Sequence, residues 1–212
     1  MAKRVFFSFH YQDVINFRAN VVRQHWVTKD DREEAGYFDA SLWESTKRSG
    51  EESLKRLING GLDGTSVTSV LVGSETYARR WVRYEIFKSL GKGNRLFGVH
   101  INGITGKDRQ TKPLGPNPFD YLGVRFAQDG SSVSLFEWDG AQWITYKDLQ
   151  GWSFPEPKLQ SVRGQFYHSN RSDQGRCRPL LRQRISPTLP PLGTGRLENI
   201  RPTPSTNCHP TW

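Results

Sequence analysis

Glu85 is the residue of this sequence whose type and surroundings most suggest chemistry. It lies in SETYARRWVRYEIFKSL, residues 74–90, which has helical spacing and more aromatic and arginine side chains than a surface helix requires. Trp81 precedes Glu85 by four positions, so the two side chains share one face of a helix. An indole beside a carboxylate lowers the local polarity and tunes the acid for catalysis. The pattern alone leaves two interpretations open: a tuned catalytic acid, or a surface charge paired with Lys88.

No generic catalytic motif accompanies Glu85. The sequence has no Cys/His group with metal-ligand spacing, no glycine-rich dinucleotide fingerprint, no P-loop and no nucleophile elbow. We therefore expect no metal and no cofactor. The remaining place for a site is the carboxyl edge of a parallel sheet, where ligands bind in open α/β folds.

The strands of such a sheet are indicated by short apolar runs. RVFFSF (4–9), SVTSVLVG (66–73) and RLFGVHI (95–101) are rich in β-branched or aromatic residues and predict buried strands. Tyr37–Phe38 predicts a short second strand after a charged surface loop. Residues 40–50 are predicted to be a polar loop.

Helices are predicted between these strands. Asp13 is a candidate cap for the first helix, whose inward stripe would be Val14, Phe17 and Val21. Further helices are predicted over 51–59, stopped by GGLDG, and over about 79–92, ending in GKGN. The alternation predicts an α/β fold: a parallel sheet with helices on both faces.

The second half of the chain departs from this alternation. Residues 102–123 form a long loop rich in Gly and Pro. Residues 134–146 predict a hairpin with its turn near Asp139, an antiparallel addition at the sheet edge. We expect one domain over 1–168.

A tail of different composition follows over 169–212. The net charge is +9, and seven arginines against two acids after residue 170 supply five of those charges, so the domain itself is only modestly basic. The tail is rich in Pro and Arg and lacks a periodic apolar face, which predicts disorder. It could be out-of-frame coding sequence, or an arginine-rich arm for nucleic acid, a partner that we otherwise do not expect. Both cysteines lie in it, and the apolar run near the N-terminus ends at Phe9, so we expect a cytoplasmic protein without a signal peptide or membrane span.

Three segments should converge at the carboxyl edge of the sheet. They are Ser8–Tyr11 after the first strand, Asp39–Trp43 after the second, and Gly73–Tyr77 before the helix of Glu85. Backbone N–H groups after His10, or the side chains of Arg79, Arg80 and Arg83, could meet the phosphates of a ligand.

The sequence resembles the TIR domain family. VFFSFH resembles its first strand, and SETYARRWVRYEI resembles its Ser-x-x-Tyr/Phe…Trp-x-x-x-Glu signature. Over roughly 1–165 it is most similar to the TIR-like branch of Thoeris anti-phage systems, the ThsB proteins, through KRVFFSFHYQDV, FDASLWE, LKRLINGGL, RRWVRYEI and GPNPFDYLG. The spacing from Tyr77 to Trp81 is one residue shorter than in many plant TIR domains, and the tail does not resemble the family's C-terminal region.

The resemblance implies a flavodoxin-like fold that cleaves its substrate NAD at the nicotinamide–ribose bond, with Glu85 as the catalytic glutamate. It further implies a cyclic ADP-ribose-type messenger that activates a separate effector. Residues 40–50 would serve substrate access or self-association. The candidate substrate-binding residues are Phe6, Ser8, Phe9, His10, Asp39, Ser41, Trp43 and Trp81.

Each candidate also has a structural explanation. Phe6 and Trp81 could belong to the core, His10 could be a hydrogen-bonded structural histidine, and Asp39 could turn the chain. Two functional alternatives remain open as well: a non-catalytic TIR-like interaction module, and a plain NAD hydrolase that releases linear ADP-ribose.

Overall fold

The computed structural model of this chain describes residues 3–28, 32–35, 38, 40–158 and 160–168. The predicted tail, 169–212, lies outside the described residues, as does Tyr37 of the predicted second strand. No helix in the described part is both long and apolar enough to cross a membrane.

A four-stranded parallel sheet forms the centre of the fold, in the order β2-β1-β3-β4. Its strands are β1 (Lys3–Phe9), β2 (Arg32–Ala35), β3 (Val67–Val72) and β4 (Arg95–His100). In β1, Val5 pairs with Val67 and Phe9 with Leu71 of β3, so both strands end at the same edge. The predicted parallel α/β arrangement is confirmed.

Helices cover both faces of this sheet. They are α1 (Tyr11–Ile15), α2 (Arg18–Val27), α3 (Ala40–Arg48), α4 (Glu51–Leu62) and α5 (Arg80–Lys92). Because strand side chains alternate between faces, Val5 and Phe7 of β1 pack with Ala19 of α2. The intervening Phe6 packs on the opposite face, with Ile58 of α4 and Tyr84 of α5.

A second sheet is antiparallel and separate from the first. It consists of β5 (Leu122–Phe126), β6 (Ser132–Trp138), β7 (Trp143–Thr145), β8 (Trp152–Ser153) and β9 (Phe166–His168), in the order β7-β6-β5-β9 with β8 beside β6. The predicted hairpin is β6–β7, and Asp139 accepts hydrogen bonds from the backbone N–H groups of Ala141 and Gln142 in its turn. The hairpin therefore belongs to this second sheet, which packs against β3 and α5, and it does not extend the edge of the parallel sheet as predicted.

The first predicted helix is broken. Phe17 has a left-handed backbone, φ 63°, and separates α1 from α2. The break changes the helical phase, so the predicted inward stripe holds at Val14, which packs against the core, and is wrong after it: Phe17 is 49% exposed and Val21 37% exposed. Ala19, Val22 and Trp26 face the sheet instead.

Two predictions for the segment between β1 and α4 are also wrong. The second strand occupies Arg32–Ala35, inside the predicted charged loop, because backbone pairing with β1 does not require apolar side chains at an edge. Residues 40–48, predicted as a polar loop, form α3. Lys47 and Arg48 in its last turn favour a helix C-terminus, and Trp43 packs against the core.

The later elements follow the predictions more closely. The helix over 51–59 is confirmed and continues to Leu62, and α5 ends at Gly93, whose φ of 83° is the expected left-handed cap. β4 is a strand but not a buried one: Phe97 is 43% exposed and Val99 36% exposed. As an edge strand it has β3 on one side only among the described residues.

The predicted long loop is confirmed from Ile101 to Asn117, after which a 3-10 turn, Pro118–Tyr121, leads into β5. A buried arginine of α2 holds this loop. Arg18 donates hydrogen bonds to the backbone oxygens of Ile104 and Gln110, at 3.0 and 2.7 Å, and its side chain is fully buried.

Candidate active site

Glu85 lies in the middle of α5 and is only 5% exposed. Its Oε2 atom accepts a 2.5 Å hydrogen bond from the hydroxyl of Ser8, near the end of β1, which is itself fully buried. The carboxyl group thus lies beneath the carboxyl edge of the parallel sheet. It is not a surface charge, so the interpretation of Glu85 as a solvated partner of Lys88 is wrong.

The environment of Glu85 favours its neutral form. Burial raises its pKa to about 8, and the hydrogen bond from Ser8 opposes that shift only in part. Near neutral pH most of the molecules therefore hold Glu85 protonated. A carboxyl with a pKa near the working pH can change protonation state during a reaction.

A narrow pocket opens at Glu85. Its described lining is Phe7, Phe9, Tyr11, Phe38, Trp43 and Glu85. Phe38 and Trp43 stack on each other, with ring centroids 6.3 Å apart and planes 18° from parallel. The volume of the pocket is about 20 Å³, which is room for roughly one water molecule. Any larger ligand must displace part of this aromatic lining.

The structure brings some of the predicted substrate-binding residues to this pocket. Phe9 and Trp43 line it, and Ser8 contacts Glu85 behind it. Asp39 lies outside the described residues, and for Ser41 only the position in the first turn of α3 is described.

Phe6 and Trp81 lie in a different environment. Phe6 is fully buried, in a cluster with Ile58 and Tyr84, and Trp81 packs against that same cluster. The Trp81 ring meets Tyr84 edge-on at 5.8 Å and the Arg80 guanidinium at 5.0 Å. Neither Phe6 nor Trp81 is among the described lining residues of the pocket. Their contacts are those of the packing alternative.

A second polar group follows β1 and β3 at the same edge. His10 immediately precedes α1, and burial lowers its pKa, as does the nearby charge of Arg79, while Glu75 opposes the shift. Asp13 is 7% exposed, and burial raises its pKa to about 6. Its carboxylate lies against Gly73: a Cβ added there would meet Asp13 Oδ1 at 2.8 Å.

The predicted role of Asp13 as the cap of the first helix is wrong: His10 occupies the cap position, and Asp13 lies buried inside α1. The sequence feature that could have indicated the burial of Asp13 is Gly73. A glycine just after β3 leaves space for a side chain that follows the adjacent strand, β1. The carboxyl edge of the parallel sheet therefore holds two buried carboxyl groups of raised pKa, Asp13 and Glu85.

The three predicted phosphate-binding arginines occupy different places. Arg79 pairs with Glu75 beside His10. Arg80 donates to Glu51 and Asp148, and Arg83 donates to Glu137 at 2.6 Å. Arg79 is thus the one of the three whose charge acts on the groups at the carboxyl edge.

A parallel sheet with helices on both faces, and a buried glutamate of α5 hydrogen-bonded to the first strand, define a TIR-like arrangement. Comparison with known proteins agrees: residues 6–105 match the model of a family described as "Thoeris protein ThsB, TIR-like domain". The chain is also 59% identical over 167 residues to a protein of Bacillus cereus (strain MSX-D12) named "Putative cyclic ADP-D-ribose synthase ThsB1". That match covers 79% of this chain and 87% of the relative. The chain belongs to the ThsB family of Thoeris proteins.

Proposed function

We propose that this chain cleaves NAD at the nicotinamide–ribose bond and releases the ADP-ribose part as a cyclic isomer, a messenger for a separate effector. The observation that carries the proposal is the buried Glu85 carboxyl, hydrogen-bonded to Ser8 and facing an aromatic pocket at the carboxyl edge of the sheet. The name of the Bacillus cereus relative, a putative cyclic ADP-D-ribose synthase, supports the same chemistry.

The bond type suits a single carboxylate. When the bond between ribose C1′ and the ring nitrogen breaks, both electrons go to the cationic nicotinamide, which leaves as a neutral molecule. Positive charge then develops on the ribose, and an ionised Glu85 stabilises it. The cationic substrate also favours that ionised form, since a positive charge nearby lowers the pKa of a carboxyl.

The aromatic lining supports cyclisation over hydrolysis. Phe9, Phe38 and Trp43 offer no hydrogen-bond acceptors, so the part of the wall that they form does not hold a water against the ribosyl cation; the lining groups with acceptor oxygens are Tyr11 and Glu85. A nucleophile within the ADP-ribose that is held close then reacts first, forming a bond to C1′ and giving up a proton. The pocket must open to admit NAD, because about 20 Å³ does not hold a nicotinamide ring.

Two alternatives are each favoured by one observation. Space for about one water beside Glu85 would suit a hydrolase that releases linear ADP-ribose. The closed pocket would suit a non-catalytic interaction module, with α3 as its surface through Leu42, which is 41% exposed.

Product analysis separates these three functions. Cells carrying the full chain are challenged with phage, and their nucleotides are identified by mass spectrometry beside cells lacking the chain. The proposal predicts nicotinamide release with a cyclic ADP-ribose isomer that depends on the chain. Linear ADP-ribose alone would establish the hydrolase, and unchanged NAD with intact defence would establish the interaction module.

A further inference from the structure

A large cavity lies at the end of the sheet opposite Glu85. It is bounded by the last turns of α4 and α5 and by residues 149–152, and its volume is about 440 Å³. α4 ends just before β3 begins and α5 just before β4 begins, so the cavity is at the amino edge of the parallel strands. Small-molecule sites in proteins typically have volumes of about 300–1,000 Å³, and this cavity falls within that range.

One side of this cavity is apolar. Leu62 and Phe87 are buried at its floor, and Leu149 and Trp152 pack beside them. The Trp152 indole lies directly against α5 at Gly91, where an added Cβ would come within 3.2 Å of its Cε3 atom. An indole held in this way presents a surface on which a ring can stack.

The other side of the cavity carries positive charge. Its charged lining residues are Lys88, Lys92 and Asp63. Lys92 lies 3.4 Å from Asp63, whose side chain is 81% exposed, while no ion pair or hydrogen bond joins Lys88 to any other described residue. The cavity thus has one net positive charge, on a half-buried lysine of α5.

An amide group completes the lining. The Oδ1 atom of Asn59 accepts a hydrogen bond from the Tyr84 hydroxyl at 3.2 Å, so its Nδ2 group is the donor that remains for a ligand. A stacking wall, an ammonium group and an amide donor are the features that bind a ring joined to a phosphate.

We propose that this cavity is a second binding site, for a small organic anion with a flat ring, the chemical class of a nucleotide. It is separate from the pocket at Glu85, since the two have no described lining residue in common. The inference does not depend on the proposed function.

The test titrates AMP into the isotopically labelled full chain and follows backbone and indole resonances. We expect shifts at Gly91, Gly151 and the Trp152 indole. Lys88→Glu should weaken this binding by about tenfold or more. The matched control is Lys147→Glu, an exposed lysine of the neighbouring segment outside the lining, which should leave the affinity unchanged.

Further variants keep the result interpretable. Glu85→Gln should still bind AMP at the cavity, which separates this site from the proposed active site. Inorganic phosphate should bind at least about tenfold more weakly than AMP, because it cannot stack. Absence of shifts at Gly91, Gly151 and Trp152 at millimolar AMP would overturn the proposal, and so would equal binding by the Lys88→Glu variant.

Discussion

The hydroxyl of Ser8 donates a 2.5 Å hydrogen bond to Oε2 of Glu85, and this contact joins β1 to α5 beneath the carboxyl edge of the sheet. Both residues are buried, and among the described residues no positively charged side chain offsets the raised pKa of Glu85. A carboxyl in this setting is neutral until a cation approaches. The site therefore responds to a positively charged substrate, and most of its testable behaviour follows from that property.

The first prediction concerns the pH dependence of NAD cleavage. The value of kcat/KM should rise roughly tenfold per pH unit below an apparent pKa near 8, because it reports Glu85 in the free protein. The rise in kcat with pH should have its midpoint at a lower pH than the rise in kcat/KM, because the bound cationic substrate lowers the pKa of Glu85. Steady-state assays from pH 5 to 9 measure both profiles, and a pH-independent kcat/KM would contradict the assignment.

The second prediction tests the hydrogen bond itself. Ser8→Ala removes the group that holds the pKa of Glu85 down, so activity should fall more at pH 7 than at pH 9. The matched control is Ser89→Ala, which removes a buried hydroxyl 2.8 Å from Thr68, away from the pocket. The control should lose stability without moving the pH profile. Identical profiles for the two variants would mean that Ser8 is only structural.

The third prediction concerns stability. The pKa of Glu85 is raised from its usual 4.5 to about 8, so burying this group destabilises the fold progressively as pH rises between those values. Glu85→Gln should therefore be more stable than the wild type at pH 9, on the order of a few kcal/mol, and equally stable at pH 4. Urea unfolding at the two pH values measures this difference. A variant less stable at pH 9 would show that Glu85 is stabilised as a carboxylate.

The fourth prediction concerns the aromatic mouth. Trp43→Ala widens the pocket and admits water, so the ratio of linear to cyclic ADP-ribose should increase several-fold, as measured by mass spectrometry. Trp143→Ala, in the antiparallel sheet, controls for general loss of aromatic packing. It should leave the product ratio unchanged. An equal change in the product ratio in both variants would show that Trp43 has no specific role in excluding water.

The fifth prediction concerns Arg18, which fixes the loop after β4. Arg18→Met removes two hydrogen bonds to backbone oxygens and a 3.5 Å pair with Asp108, so unfolding free energy should fall by about 2–5 kcal/mol. Hydrogen exchange should quicken at residues 104–110 before it does so in β1 or β3. Uniform exchange across the sheet and the loop would argue against a local clamp.

The sequence predicted the parts of the fold that depend on local patterns. β1 and β3 are continuous apolar runs, and α4 and α5 have apolar residues at helical spacing. The spacing of Trp81 and Glu85 put both on one helix face but left open whether the carboxyl is buried. That spacing also did not identify the hydrogen-bond partner of Glu85. Its hydrogen-bond partner is Ser8, a contact between distant parts of the chain that only the pairing of β1 with β3 determines.

Other features depend on tertiary contacts that no local pattern contains. α3 is polar enough to resemble a loop, and it is anchored where Trp43 packs near Phe6 and Ile58. The break at Phe17 requires a left-handed backbone conformation, which a phenylalanine in the sequence does not predict. The second sheet pairs β5 with β9, whose short strand has no distinct periodicity.

The most direct test of the account compares wild type, Glu85→Gln and Glu137→Gln in phage-challenged cells, with NAD and its products quantified by mass spectrometry. Glu137 pairs with Arg83 outside the pocket and controls for the loss of a carboxylate. The account predicts a loss of NAD cleavage on the order of a thousandfold in Glu85→Gln alone. Equal amounts of product from Glu85→Gln and wild type, with both proteins folded, would contradict it.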